Sequence, residues 1–465
     1  MVSIFIAILT CAGIGFLFWM DRDDVPVSNW VWLPSIWLLI ASSRPLSSWV
    51  TFSAPAGPYD QYIDGSPLDR NVLSFFLALA VFVLYKRSRK VVSIYRANGP
   101  LILFFLFCAV SALWSDYPLV VLKRWVRTLG DIAMILVILT EPNWADAMKR
   151  VLMRVGYVLI PLSILFIRFF PALGRSYSVG GSPMWTGVAT DKNALGALCM
   201  LFGVALLWRG LSTYSQRIAK FRGRRLITIS LLFAMVLYLL FIVDSKTALA
   251  CFLMASILIV VTLVKLFRGK GLVSLMMAAM IAVCYSVLFL GVGSGALETM
   301  GRDSSLTGRS QVWQTVLPFA VNPWVGAGYE NFWIGERINR IVATLGAGLN
   351  QAHNGYIEIY LNIGWVGLAL LGIVILSGYW NILRGLRTDP EMGRLKLAFF
   401  LICLIYNFTE ASFKMMSPVW ITFLWAVMGT PKPRAKAVPS PTYVPELQTS
   451  QWSQLSDARP WQDLS

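Results

Sequence analysis

From Ser3 to Met428 the chain returns repeatedly to apolar runs separated by short polar stretches. A helical run needs about 20 such residues to cross the hydrocarbon of a bilayer. Read as crossings, the runs fall near 3–20, 28–42, 70–85, 99–114, 128–140, 151–170, 193–208, 226–243, 247–267, 272–292, 354–377, 396–409 and 417–429. That makes about thirteen, or twelve if one of the short ones at 28–42, 128–140 or 396–409 does not cross. The expected fold is all-α, a polytopic membrane protein of about 12–13 transmembrane helices. Only 14% of the residues are charged, against roughly 25% in soluble domains, which excludes a water-soluble enzyme. The first run lacks a basic leader and a small-residue cleavage site before Asp21, so it is expected to remain as a membrane helix.

The net charge of +17 would suggest nucleic acid in a soluble chain. Here its placement gives another reading. The stretches 86–98, 209–225, 265–271 and 378–396 hold five, six, three and four Lys/Arg. By the positive-inside rule they are cytoplasmic. The alternate stretches 171–192, 244–246, 293–353 and 410–416 are poor in basic residues for their length and are expected outside. The charge therefore serves topology, and no nucleic-acid partner is expected. Before residue 86 the pattern is weaker, because Arg22 sits among aspartates. The domain reading is a bundle over 1–292 with an outer loop at 171–192, then a periplasmic helical loop domain at 293–353 that carries active-site residues. C-terminal transmembrane helices follow at 354–430, and a proline-rich, disordered cytoplasmic tail at 431–465.

All six cysteines lie inside apolar runs, and His353 is the single histidine. Neither a disulfide framework nor metal-ligand spacing is present. No metal and no cofactor are expected.

The informative polar residues sit on the outer side. The loop PALGRSYSVGG carries Arg175, and TDKNALG opens a helix for which Thr190 or Asp191 is a natural cap. Helix N-termini attract anions, and Lys192 adds a full charge there, although an interfacial lysine can simply snorkel. In GRSQVWQ, Arg309 stands in the first turn of a helix capped by Thr307, with Val312 and Val316 on one face. A cation placed against the dipole implies an anionic partner; Asp303 or water would be the plain alternative. NPWVGAGYENFW combines turn residues with rings suited to an interfacial belt or to stacking on sugars. His353 and Asn354 precede a further outward-starting helix, and His353 is the one group that titrates near neutrality unperturbed; its plain alternative is a helix-capping residue. Arg124 and Arg127, in LKRWVR, run against the charge trend and hint at phosphate contact, with Arg127 also able to neutralise Asp131. Glu410, in NFTEASF, is a border charge that a structural ion pair would also explain.

GRSQVWQ, the Pro–Trp–Gly–Gly turn with Tyr329 and Phe332, and AHNGYIEIYLNIGWVG together resemble the O-antigen ligase and Wzy-type polymerase superfamily. WTGVATDKNALG and NFTEAS are similar to its ExoQ-like exopolysaccharide-polymerase branch. The resemblance spans about Arg175 to Ser412. It implies a GT-C-like, metal-independent, inverting glycosyltransferase of the bacterial inner membrane. Such an enzyme would use oligosaccharides linked to undecaprenyl diphosphate, beside a chain-length regulator and export machinery. It further implies that Arg175, Lys192 and Arg309 hold the diphosphate and that His353 acts on the acceptor hydroxyl. Asn354, Glu410, Arg124 and Arg127 are further candidates. Two other functions fit the same class of chain: an O-antigen ligase that transfers glycan to lipid A–core, and a lipid-linked oligosaccharide flippase.

Overall fold

The computed structural model describes the chain except residues 1, 22–24, 52–65, 178–180, 216–220, 291–308, 346–349 and 430–465. Thr307, Asp303 and the expected tail 431–465 lie outside the described residues. The first half holds α1 (Val2–Met20), α2 (Trp32–Ala41), α3 (Leu46–Thr51), α4 (Pro67–Lys86), α5 (Ser88–Ala97), α6 (Gly99–Val110), α7 (Pro118–Leu139) and α8 (Trp144–Phe169). The second half holds α9 (Lys192–Ser215), α10 (Arg222–Val243), α11 (Lys246–Val261), α12 (Lys270–Phe289), α13 (Arg309–Val316), α14 (Glu336–Leu345), α15 (Gly355–Thr388), α16 (Pro390–Tyr406) and α17 (Pro418–Val427). A two-stranded antiparallel ribbon, β1 (Arg175–Tyr177) with β2 (Pro183–Trp185), sits in what the sequence presents as a plain loop.

The fold is all-α and polytopic, and every expected run overlaps a helix. Among the described residues seven helices are long and apolar enough to cross a bilayer, or eight if the bent pair at Ser88–Ala97 and Gly99–Trp114 is one broken span. The sequence count is higher because an apolar run does not say what covers it. In α17 every residue from Val419 to Val427 is buried in protein. Its 10 residues rise about 15 Å, half of a hydrocarbon layer of about 30 Å.

The basic stretches collect at one end. Gly429 N–H donates to Asn98 Oδ1 (2.8 Å), and Lys396 Nζ donates to the Met428 carbonyl (3.1 Å). Glu391 pairs with Lys149 at 2.9 Å, Arg87 with Glu141 at 2.5 Å, and Arg225 with Asp21 at 3.3 Å. The last pair fixes the end at which α1 finishes, which Arg22 and its aspartates leave open in the sequence.

At the other end α15 is broken. Ile363 (φ −134°) and Gly364 (φ 67°) leave helical geometry, so the carbonyls of Leu361 and Asn362 lose their helical partners. Residues 323–328 fill the gap. Ala327 N–H bonds to Leu361 O, Gly328 N–H to Asn362 O, Trp365 N–H to Pro323 O and Val366 N–H to Trp324 O. Irregular backbone at membrane depth is tolerated only where protein satisfies it in this way. A Cβ on Gly364 would collide with the Trp324 backbone, whereas one on Gly372 in the same helix meets nothing within 4 Å. Gly364→Ala is therefore expected to cost on the order of 1–3 kcal/mol and to lower the thermal stability of the detergent-purified protein. Gly372→Ala should leave it unchanged or raise it.

Candidate active site

The side chain of Asn407 shapes the turn after α16. Its Oδ1 accepts from the N–H groups of Ser412 (2.8 Å) and Phe413 (3.1 Å), and its Nδ2 donates to Cys403 O (2.8 Å). The Asn407 carbonyl accepts Gly355 N–H at 2.9 Å. A Cβ at Gly355 would collide with Asn407, so glycine is what lets this turn dock on the start of α15. The docking sets Glu410 opposite His353.

Glu410 is the hub. Its Oε1 accepts from Arg309 Nη2 at 2.7 Å and from Asn193 Nδ2 at 2.9 Å. Its Oε2 lies 3.4 Å from His353 Nδ1, a contact slightly longer than a formed hydrogen bond. Gln351 Nε2 stands at the same 3.4 Å from that ring nitrogen and turns its Oε1 to Lys414 Nζ at 3.1 Å. The Glu410 side chain is 9% exposed, against 24% for Arg309 and 27% for His353. The carboxylate is thus the most buried of the three groups. Three of the four non-glycine residues with positive φ among the described residues surround this cluster: Glu330 (54°), His353 (51°) and Met416 (57°). Such backbone is uncommon outside glycine and concentrates at functional sites.

A cavity of about 440 Å³ opens beside the hub. Asn193, Gln351, Glu410 and Lys414 line one side of it, and Asp69 and Arg127 another. Behind Lys414, Glu330 accepts the N–H of Met415 at 3.2 Å. Burial pushes its carboxyl above the ordinary glutamate range, and Arg124 and Lys414 pull it part of the way back.

The residues singled out in the sequence therefore separate. Arg309, His353 and Glu410 come together, and of the three Glu410 alone lines the cavity, with Arg309 and His353 bound to its carboxylate at the cavity's edge. Asn354, not His353, caps α15, taking the N–H groups of Tyr356 (2.9 Å) and Ile357 (3.1 Å). Asp191 caps α9, with Oδ1 at 2.9 Å from both the Asn193 and Ala194 nitrogens. Lys192 stands next to the hub in sequence, yet it does not line the cavity and forms no ion pair among the described residues. Arg175 faces Trp185 in the ribbon register, packs 4.7 Å over that ring and donates its Nε to Ile167 O. It does not line the cavity. Arg124 is spent on the Glu330 carbonyl, while Arg127 lines the cavity.

Two expectations change. Asp131 is not neutralised by a direct bond to Arg127; it accepts from Trp37 Nε1 (2.8 Å) and Met416 N–H (3.1 Å). Tyr329 and Phe332 are 3% and 0% exposed, so they pack inside the protein rather than present faces to sugars. Trp324, at 67%, is the exposed ring of that turn. The sequence reading also missed Arg44, which donates to the carbonyls of Leu173, Gly187 and Ala189 and clamps the 171–189 loop. Its partners are more than 120 residues away in sequence, and no local pattern signals it.

With this geometry in place, two likenesses to known proteins bear on it. The family model for O-antigen ligase matches residues 225–372, a segment that includes Arg309, His353 and the broken helix. The chain is also 26% identical over 327 residues to the exopolysaccharide production protein ExoQ of Rhizobium meliloti (strain 1021), covering 65% of this chain and 70% of that protein. On these likenesses the chain, a multi-pass membrane protein by its apolar helices, is similar to O-antigen ligase and to an exopolysaccharide production protein.

Proposed function

We propose that the protein is a glycosyltransferase of the bacterial inner membrane, acting at the periplasmic face. It joins oligosaccharide repeat units carried on undecaprenyl diphosphate into exopolysaccharide. The observation that carries this reading is the convergence of His353 and Arg309 on one buried carboxylate beside a cavity. An ionised carboxylate only accepts hydrogen bonds, so in this reading Glu410, rather than the Gln351 amide at the same 3.4 Å, takes the hydrogen bond of His353, with the proton on Nδ1. That leaves Nε2 free as a base.

In the reaction the acceptor hydroxyl oxygen attacks the anomeric carbon, and its proton passes to His353 Nε2. The bond from that carbon to the phosphate oxygen breaks, and the electron pair leaves with the diphosphate. In-line attack inverts the configuration. Arg309 uses one edge of its guanidinium on Glu410 and keeps further N–H donors for the departing diphosphate. Arg175, committed to Trp185 and Ile167, shapes the loop in this reading, and Lys192 adds charge from outside the cavity.

The family match to O-antigen ligase keeps a second reading, transfer of a finished glycan to lipid A–core, because the donor bond broken is the same. Deletion separates the two. Loss of high-mass secreted polymer marks a polymerase, whereas bare lipid A–core with polymer still on its carrier marks a ligase.

Two further results are expected. In a cysteine-free background, Thr344→Cys on α14 should be labelled by an impermeant maleimide in intact spheroplasts, and Ser215→Cys only after lysis. The reverse pattern would invert the topology and remove the periplasmic site. Polymer formation should also continue at full rate in EDTA, because the site's positive charge is supplied by side chains. A strict demand for added divalent ion would contradict that.

A further inference from the structure

The cavity extends from the Glu410 hub toward α2, α3 and α4, where its wall is made of Ser42, Ser43, Ser47 and Ser48, with Asp69 and Arg127. Arg309, His353 and Glu410 make no hydrogen bond to this wall among the described residues. Ser42 is 5% exposed, borders the cavity, and its Oγ has no hydrogen-bond partner. A buried hydroxyl in that state costs free energy unless something pairs with it. Arg127 makes no hydrogen bond or ion pair among the described residues, and it feels Asp69 more strongly than any other charge. Asp69 is held in place by Ser47, whose N–H (3.0 Å) and Oγ (2.6 Å) each bond to one of its oxygens. Each carboxylate oxygen keeps a second lone pair.

The wall therefore offers hydroxyls, a fixed carboxylate and an unused guanidinium, with one positive charge balanced by one negative. That balance disfavours a diphosphate, which carries at least two negative charges and is better served by Arg309 and Lys414. It suits a neutral polyol, whose adjacent hydroxyls both donate and accept. We propose that this serine-lined arm is a sugar subsite, which binds one ring of the oligosaccharide through Asp69 and Arg127 and so selects the glycan. The subsite deepens the glycosyltransferase reading and rests on it.

The test uses the full chain in lipid nanodiscs and two probes. One is lipid-linked oligosaccharide isolated from a strain lacking this protein, and the other is bare undecaprenyl diphosphate. Arg127→Gln should weaken binding of the glycosylated probe by about tenfold or more and leave the bare carrier unchanged. Ser48→Leu, which narrows the arm without touching a charge, should show the same split. Equal loss on both probes would make Arg127 a phosphate contact, and no loss on either would mean that the arm does not touch the glycan. Both results overturn the subsite while leaving wild-type polymerisation intact. Wild-type protein that binds the glycosylated probe no better than the bare carrier, and elongates nothing, would overturn the glycosyltransferase reading as well.

Discussion

His353→Asn is expected to lower polymer formation by roughly 10²–10⁴-fold, the usual worth of a general base, with wild-type amounts of protein in the membrane. Asparagine is the informative replacement because of the backbone. His353 has φ 51°, a region that asparagine enters far more readily than alanine does. The helix that follows does not depend on residue 353 for its cap, since Asn354 already bonds the Tyr356 and Ile357 N–H groups. The substitution therefore removes the imidazole and little else. A purely structural histidine predicts nearly full activity from this variant, and wild-type polymer would sink the catalytic assignment. His353→Ala should be equally inactive, with some added loss of stability from the strained backbone.

Glu410→Gln is expected to be impaired on a similar scale, roughly 10²–10⁴-fold in turnover, as when an orienting carboxylate behind a histidine is neutralised. Its signature differs. The amide no longer favours the Nδ1–H tautomer of His353, so kcat falls. It also leaves Arg309 without its 2.7 Å counter-ion. The positive potential felt by the donor diphosphate then rises, and the donor KM should stay level or drop. Arg309→Lys should do the opposite, keeping a charge but losing the planar fork that grips two oxygens, so the donor KM rises. A role confined to stability would move both variants the same way, through the amount of protein in the membrane. Parallel changes in KM would contradict the assignment.

The contrast between these residues shows what a sequence can and cannot display. Hydropathy made the helices visible, because apolar residues recur locally. Lys/Arg density made the two ends visible, and the basic stretches do gather around Asn98, Glu391 and Gly429. Arg309 and His353 stood out as a misplaced cation and a solitary imidazole. Asp191 stood out as a cap, and it is one. Glu410 was only one border charge among several, because its partners His353, Arg309 and Asn193 lie 57, 101 and 217 residues away. Nothing local reports such a meeting. The broken helix was hidden for a related reason: Ile363-Gly364-Trp365 reads as a continuous apolar run, and the plug at 323–328 that requires the break is distant in sequence. Tyr329 and Phe332 follow that plug directly and are packed inside with it, which is why rings that look suited to sugars are buried. Arg175 looked like an anion ligand until the ribbon placed it on Trp185.

The most direct measurement is polymerisation by the purified protein in lipid nanodiscs, supplied with lipid-linked oligosaccharide from a strain that lacks it and resolved by length on a gel. The account predicts a ladder of products spaced by one repeat unit, formed by the wild type and absent with His353→Asn. No elongation by the wild type, or an equal ladder from His353→Asn, would contradict it.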